Sequence, residues 1–260
     1  MKYLIRLLLI TLLFTSATLF AEVFHKPDFD PRLSIEQGSL EWWNHADNDS
    51  ASAFNIGLLY DLKIKDYKLA ELWYKQALNV DPKNIQTIMN LGILCDRELN
   101  EPKKAEFWYK KIIEIEPNNS NGLFNLALLY EAKLNNPKLA IKYYEKSFQL
   151  GSKEASNNLG LLYEHQNNHT KAKEWYLKAI ERESLSAIKN LGRLYHYKLH
   201  DDVKATTYFI ALIGKKYSKG RILGYLKDKW NLSDETIKQG YEAQLNSKII
   251  PEKLKYKGGI

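Results

Sequence analysis

The stretch NIGLLY, residues 55–60, returns four more times along the chain. Asn90 opens NLGILC, Asn125 opens NLALLY, Asn158 opens NLGLLY and Asn190 opens NLGRLY. Measured at Ile56, Leu91, Leu126, Leu159 and Leu191, the intervals are 35, 35, 33 and 32 residues. A fixed period in this range is the signature of stacked supersecondary units, each too small to bury its own apolar face.

Every copy carries a second signature. Ala70 precedes Trp73-Tyr74, Ala105 precedes Trp108-Tyr109, Ala140 precedes Tyr143-Tyr144, Ala172 precedes Trp175-Tyr176 and Ala205 precedes Tyr208-Phe209. The three-residue step from Ala to the first aromatic keeps both on one helical face. Each copy therefore reads as two helices: helix A with Asn-Leu-Gly-x-Leu-Tyr, helix B with Ala-x-x-Trp-Tyr. Glycine costs about 1 kcal/mol inside a helix, so the small residue repeated at Gly57, Gly92, Ala127, Gly160 and Gly192 calls for a close packing partner. Asp81-Pro82 and Glu116-Pro117 stop helix B, because the residue before proline is pushed out of helical geometry. Trp73, Trp108 and Trp175 are expected to be buried between successive helices.

These motifs resemble a tetratricopeptide array, and Leu-Gly-x-Leu-Tyr with Ala-x-x-Trp-Tyr is similar to its Sel1-like relatives. The Sel1-like turn glycine is missing, and the spacing lies between the two classes. The resemblance covers about residues 51–214 and implies an all-α fold, a right-handed α-solenoid of helical hairpins. Residues 40–46, LEWWNHA, place Trp42, Trp43 and Ala46 like Trp73, Tyr74 and Ala77, which reads as a lone helix B capping the first repeat. Residues 22–50 thus form an N-terminal segment with a half-repeat cap. Residues 215–260 read as a degenerate sixth repeat and an extended tail, with Ser233 as a helix N-cap.

The first 21 residues combine Lys2 and Arg6 with an apolar run from Leu7 to Phe20, the layout of a secretory signal peptide. Cleavage near Glu22 would leave a periplasmic or secreted product with no stable membrane insertion. Apolar residues make up 45% of the chain and charged residues 27%, which places it among folded proteins rather than disordered ones. Cys95 is the only cysteine, so no intramolecular disulfide forms, and its position in a repeated tyrosine slot reads as a buried, inert thiol. Charge is uneven: residues 22–182 hold 21 basic and 23 acidic side chains, whereas residues 183–260 hold 15 and 8.

No phosphate loop, metal-spaced Cys/His cluster or nucleophile elbow is present, so the reading is a protein without enzymatic activity, cofactor or metal. The basic residues of the C-terminal third form no stripe of the kind that binds nucleic acid.

In this family helix A lines the concave surface. The face that would meet a partner carries Phe54, Asn55 and Asp61 in the first copy, and Met89, Asn90 and Asp96 in the second. The third offers Phe124, Asn125 and Glu131, and the fourth Asn158 and Glu164. The fifth turns basic, with Asn190 and Arg193. The asparagine column can hold a partner's backbone. The acids lie where the helix dipole disfavours negative charge, which suggests a use. The two-carboxylate clamp of some relatives is absent, since its first-copy slots hold Phe54 and Leu58. The expected partner is another protein with basic and apolar patches, bound by a chain that is monomeric when free. Sel1-like proteins with signal peptides include immunity proteins against periplasm-delivered toxins such as lipases. A scaffold for envelope assembly is the alternative, and an envelope-modifying enzyme a distant one.

Overall fold

The computed structural model describes residues 24–260, so the signal-peptide segment lies outside the described residues. Among them the chain is all-α, with no strand, and it divides into two compact units that meet at Ile115 and Glu116. The boundary cuts through the repeat array, between the second copy and the third.

The first unit opens with a 3-10 turn at Pro31–Ile35 and helix α1 (Ser39–His45). Two hairpins follow. The first pairs α2 (Ser50–Leu58), which runs on as π-helical turns over Leu59–Ile64, with α3 (Tyr67–Val80). The second pairs α4 (Ile85–Arg97) with α5 (Pro102–Ile115). The segment read as a half-repeat cap is α1. Its Trp43 ring lies 5.0 Å from Trp73, and Phe29 meets Trp43 edge-on at 5.5 Å. Gln76, buried, donates to the Asp47 carbonyl at 3.0 Å and so joins this cap to α3.

The second unit holds three hairpins: α6 (Ser120–Ala132) with α7 (Pro137–Gln149), α8 (Lys153–His165) with α9 (His169–Glu181), and α10 (Leu185–Tyr197) with α11 (Asp202–Ile210). A short helix α12 (Lys219–Gly224), π-helical turns to Lys229, and α13 (Asp234–Asn246) complete it, with α13 packed on α11. The tail is not simply extended. After a 3-10 turn at Glu252–Leu254, Gln244, fully buried, accepts from the Tyr256 amide at 3.0 Å and donates to the Tyr256 carbonyl at 2.7 Å. One carboxamide thus mimics a strand pair and fastens the tail to α13.

Local chemistry explains the punctuation. Asp49, Asp66, Asn84, Asn119, Asn136, Ser152, Asn168, Ser184 and Asp201 each cap a helix through the side chain, accepting from a backbone amide in the first turn. The turn from helix A to helix B passes through a left-handed residue in every copy: Lys65, Asn100, Asn135, Asn167 and His200. Asparagine tolerates that region better than most side chains, which is how these turns manage without the Sel1-like glycine. Helix B ends at Val80 and Ile115, just before Asp81-Pro82 and Glu116-Pro117.

The repeated small residue has a specific partner. A methyl added at Gly57, Gly92 or Gly192 would come within 2.6 Å of the ring of Tyr74, Tyr109 and Phe209 respectively, and one at Gly160 would clash with the ring of Tyr176. In these four copies the second aromatic of helix B therefore packs closely against the backbone of its own helix A. Trp73 is fully buried and Trp108 nearly so. Trp175 departs from the expectation and is only half-buried, with Phe148 edge-on at 5.4 Å and the Lys178 ammonium 3.9 Å from its ring centre.

Candidate partner-binding site

The acids at the ends of helix A have internal partners. The Tyr74 hydroxyl donates to Asp61 at 3.0 Å, Tyr144 to Glu131 at 2.6 Å and Tyr176 to Glu164 at 2.8 Å. The second copy places Asp96 close enough to Tyr109 to act on its hydroxyl electrostatically. Burial, reinforced by these carboxylates, holds the Tyr74, Tyr144 and Tyr176 hydroxyls protonated far above the ordinary tyrosine range. A phenol buried without an acceptor costs about 1–3 kcal/mol, so the recurring acid answers a structural need. The fifth copy supplies the control. Helix B there carries Phe209, with no hydroxyl, and the acid slot on helix A is His196. Both members of the pair change together.

Burial also raises the Asp61 carboxyl above its ordinary value. The hydrogen bond from Tyr74 opposes that shift and Glu98 adds to it.

The asparagines are tied in as well. Asn90 reaches the Tyr74 hydroxyl, and Asn158 donates to Tyr144 at 3.3 Å. In each case the asparagine of one copy meets the tyrosine of the copy before it, so hydroxyl, acid and amide form an inter-repeat tie. Asn190 instead donates to Asn157 at 3.0 Å. The Asn55, Asn90, Asn125, Asn158 and Asn190 side chains are all partly exposed.

The apolar wall is less open than the sequence suggested. Phe54, expected to face solvent, is buried against Tyr74 with ring centres 5.7 Å apart. Phe124 makes the same contact with Tyr144 at 5.7 Å but keeps a partly exposed face, as does Met89. Within the second unit Phe124 lines a groove of about 420 Å³ with Lys153, Asn157, Asn158, Glu183 and Leu185. Arg193 is exposed and belongs to a different hollow.

Cys95 is fully buried, and burial, with Glu71 and Glu101 nearby, pushes its thiol up to about 12. Its sulfur and the two carboxylates lie within 4.8 Å of one another, but the Lys75 ammonium sits 2.8 Å from Glu71 and that of Lys104 2.7 Å from Glu101. Two ammonium groups already balance this cluster. Among the described residues no helix is long and apolar enough to cross a membrane.

Comparison with known proteins bears on the repeat and the fold. Tetratricopeptide repeat family models match residues 50–84, 85–119 and 153–184, and another of the same description matches 108–142. The chain is a tetratricopeptide-like repeat protein. Among solved structures, pilF of Pseudomonas aeruginosa is 21% identical, with a TM-score of 0.56 over 81% of this chain and 93% of its own. PilW, described as a widely conserved type IV pilus biogenesis factor, is 18% identical, with a TM-score of 0.55 over 79% and 96%. YrrB, a TPR protein with an unusual peptide-binding site, is 20% identical, with a TM-score of 0.50 over 66% and 89%. These likenesses are of fold. No curated protein sequence matches the chain. The tetratricopeptide matches end at residue 184, so the fifth hairpin and everything after it rest on the structure and the internal repeat alone.

Proposed function

We propose that this tetratricopeptide-like protein binds another protein through the helix A face, and that the groove beside Phe124 is the centre of contact in the second unit. The observation that carries the reading is that groove. It combines a partly exposed aromatic ring with the carboxamides of Asn157 and Asn158, an apolar anchor beside groups that donate and accept. Peptide binding by YrrB supports the same use of the fold. Phe124, Asn125 and Asn158 are the proposed contact residues there, and Met89 and Asn90 the equivalents in the first unit. Phe54 drops from the contact set because Tyr74 covers it. Asp61, Asp96, Glu131 and Glu164 act first on the tyrosines behind them.

We place this activity outside the cytoplasm, on the strength of the signal-like start. The specific role we favour is immunity, the neutralisation of a periplasm-delivered toxin such as a lipase, as the Sel1-like motifs suggest. A scaffold for envelope assembly is the second reading, and the likeness to a pilus biogenesis factor favours it. The test places a photoreactive amino acid at Lys153, on the groove rim, and cross-links the full chain in an envelope extract. One specific protein adduct, lost in Phe124→Ala, is the expected result. A lipase or other toxin in that adduct means immunity, and an assembly component means scaffolding. Adducts that form only from positions away from helix A would overturn the groove as the contact site.

A further inference from the structure

The fifth hairpin departs from the rest of the array, and the departure has a consequence. Lys189 and Arg193, one turn apart on α10, line a hollow of about 170 Å³ with Phe209, Tyr217, Arg221, Ile222 and Tyr225. Three of these side chains are cationic and none is acidic. No ion pair forms with Lys189, Arg193 or Arg221 among the described residues, whereas Lys104, Lys204 and Lys227 elsewhere all find carboxylates.

The acid slot that ends helix A is also changed in this hairpin. In the first, third and fourth copies a carboxylate ends helix A and takes the tyrosine hydroxyl of helix B. Here Phe209 removes the hydroxyl, and His196 replaces the acid, bonding Asp202 at 2.5 Å and stacking on Trp230 at 4.1 Å. Glu164, on the preceding hairpin, is engaged by Tyr176 and makes no ion pair with Arg193.

The walls are apolar and fixed. Phe209 and Ile222 are buried, and the Tyr225 ring stacks on Phe209 with centres 5.6 Å apart. The Arg221 guanidinium lies 5.0 Å from the Tyr217 ring centre, a contact that holds the cation over an aromatic face while leaving its hydrogen-bond donors available. Pockets that enclose a whole small ligand measure about 300–1,000 Å³. A hollow of about 170 Å³ is too small for that and suits one or two side chains of a larger partner.

We infer that the hollow between α10, α12 and the loop at Tyr217 is a binding site for an acidic segment of a protein partner, taking a carboxylate side chain on Arg193 and Arg221 and a neighbouring apolar side chain against Tyr225 and Ile222. Lys189 adds charge at the rim. Arginine suits the task because its planar fork meets a carboxylate with two parallel hydrogen bonds. The surrounding charge is favourable too, since residues 183–260 hold 15 basic and 8 acidic side chains. The inference rests on the protein-binding reading above, but it names a different site and reverses the charge expected of the partner: acidic at this end of the array.

The test uses the full chain and an end-blocked, dye-labelled peptide alternating aspartate with leucine, read by fluorescence anisotropy. The control peptide replaces each aspartate by asparagine. We expect the acidic peptide to bind and the neutral one to bind at least about tenfold more weakly, with affinity falling as salt rises from about 50 to about 300 mM. Arg193→Gln with Arg221→Gln should weaken the acidic peptide by about tenfold or more while leaving the helical circular-dichroism spectrum unchanged. Arg193→Glu with Arg221→Glu should turn the preference toward a lysine–leucine peptide, a gain that misfolding cannot imitate. Equal binding of the acidic and neutral peptides, or parental affinity in the double glutamine variant, would overturn the site. So would binding of inorganic phosphate or of anionic phospholipid vesicles with none of the peptide. Because the groove at Phe124 is untouched in these variants, a groove adduct that persists when the peptide fails to bind rejects this inference and leaves the protein-binding reading standing.

Discussion

At the scale of single residues, two opposing influences meet on Asp61. Its carboxylate accepts from Tyr74, which favours the charged form, yet burial and the nearby Glu98 disfavour it, and burial is the larger influence. The native carboxyl therefore keeps its proton to higher pH than the unfolded chain does. Between the ordinary value of 3.8 and the raised native one, the native state binds more protons, so this group's contribution to stability falls as pH rises through that window and stays low above it. The helix dipole acts in the same sense, because negative charge near a helix C-terminus is unfavourable by about 0.3–1 kcal/mol. Asp61→Asn keeps an oxygen for Tyr74 and removes the charge. It should be about 0.5 kcal/mol more stable than the parent at neutral pH, with the gain vanishing well below pH 3.8, as read by urea unfolding at both ends. A variant less stable than the parent at neutral pH would mean that the charge-assisted bond from Tyr74 outweighs burial and dipole together.

At the scale of the element, the hairpin was legible because its chemistry repeats. The Asn-Leu-Gly-x-Leu-Tyr and Ala-x-x-Trp-Tyr columns gave the two helices, and proline marked where helix B stops. What filled the glycine slot was not legible, since a helical period says which face is covered and not by which ring. The same gap explains Phe54: read as facing a partner, it lies one turn from Gly57 and packs on the same Tyr74 ring of its own hairpin. The acid column was visible, and so was the tyrosine 12 or 13 residues later. Their joint loss at His196 and Phe209 was visible too, but only the hydrogen bonds show that the two columns are one device. The hollow at Arg193 was half visible, as a basic break in the pattern; Tyr217 and Arg221 reach it from a loop and a short helix that no period predicts. The glycine slot gives a direct test. By helix propensity alone Gly92→Ala should stabilise α4 by about 1 kcal/mol. Its new methyl would stand 2.6 Å from the buried Tyr109 ring, and overpacking of that kind costs about 1–3 kcal/mol. The steric cost should win, and the variant should melt below the parent. Ala127 fills the equivalent position of the third copy, so Ala127→Gly should lose about 1 kcal/mol as well, through helix propensity. A Gly92→Ala variant that melts higher than the parent would show that the Tyr109 ring shifts at no cost.

At the scale of the molecule, the chain is a row of local cores rather than one. Within each unit the two helices of a hairpin pack on each other and successive hairpins pack together, and the two compact units part at Ile115 and Glu116. Where contacts reach only to neighbours, stability is nearly a sum of repeat and interface contributions, and a local defect weakens nearby repeats first. Trp73 is the side chain on which to test this. It is fully buried, it touches Phe24 at 5.1 Å and Trp43 at 5.0 Å, and its indole nitrogen finds no hydrogen-bond partner among the described residues. Trp73→Ala opens a cavity in the first unit at a cost of about 3–5 kcal/mol. Amide hydrogen exchange should then speed up in α1, α2 and α3 while protection in α7 to α10 stays near that of the parent. An equal loss of protection in both units would mean that the array opens as a single cooperative body, and the repeats could not then be treated as additive. The distinction bears on binding, because the groove at Phe124 and the hollow at Arg193 both lie in the second unit. If stability is local, Trp73→Ala should leave binding of the aspartate–leucine peptide at parental affinity, and the first unit can lose its core without silencing the sites of the second.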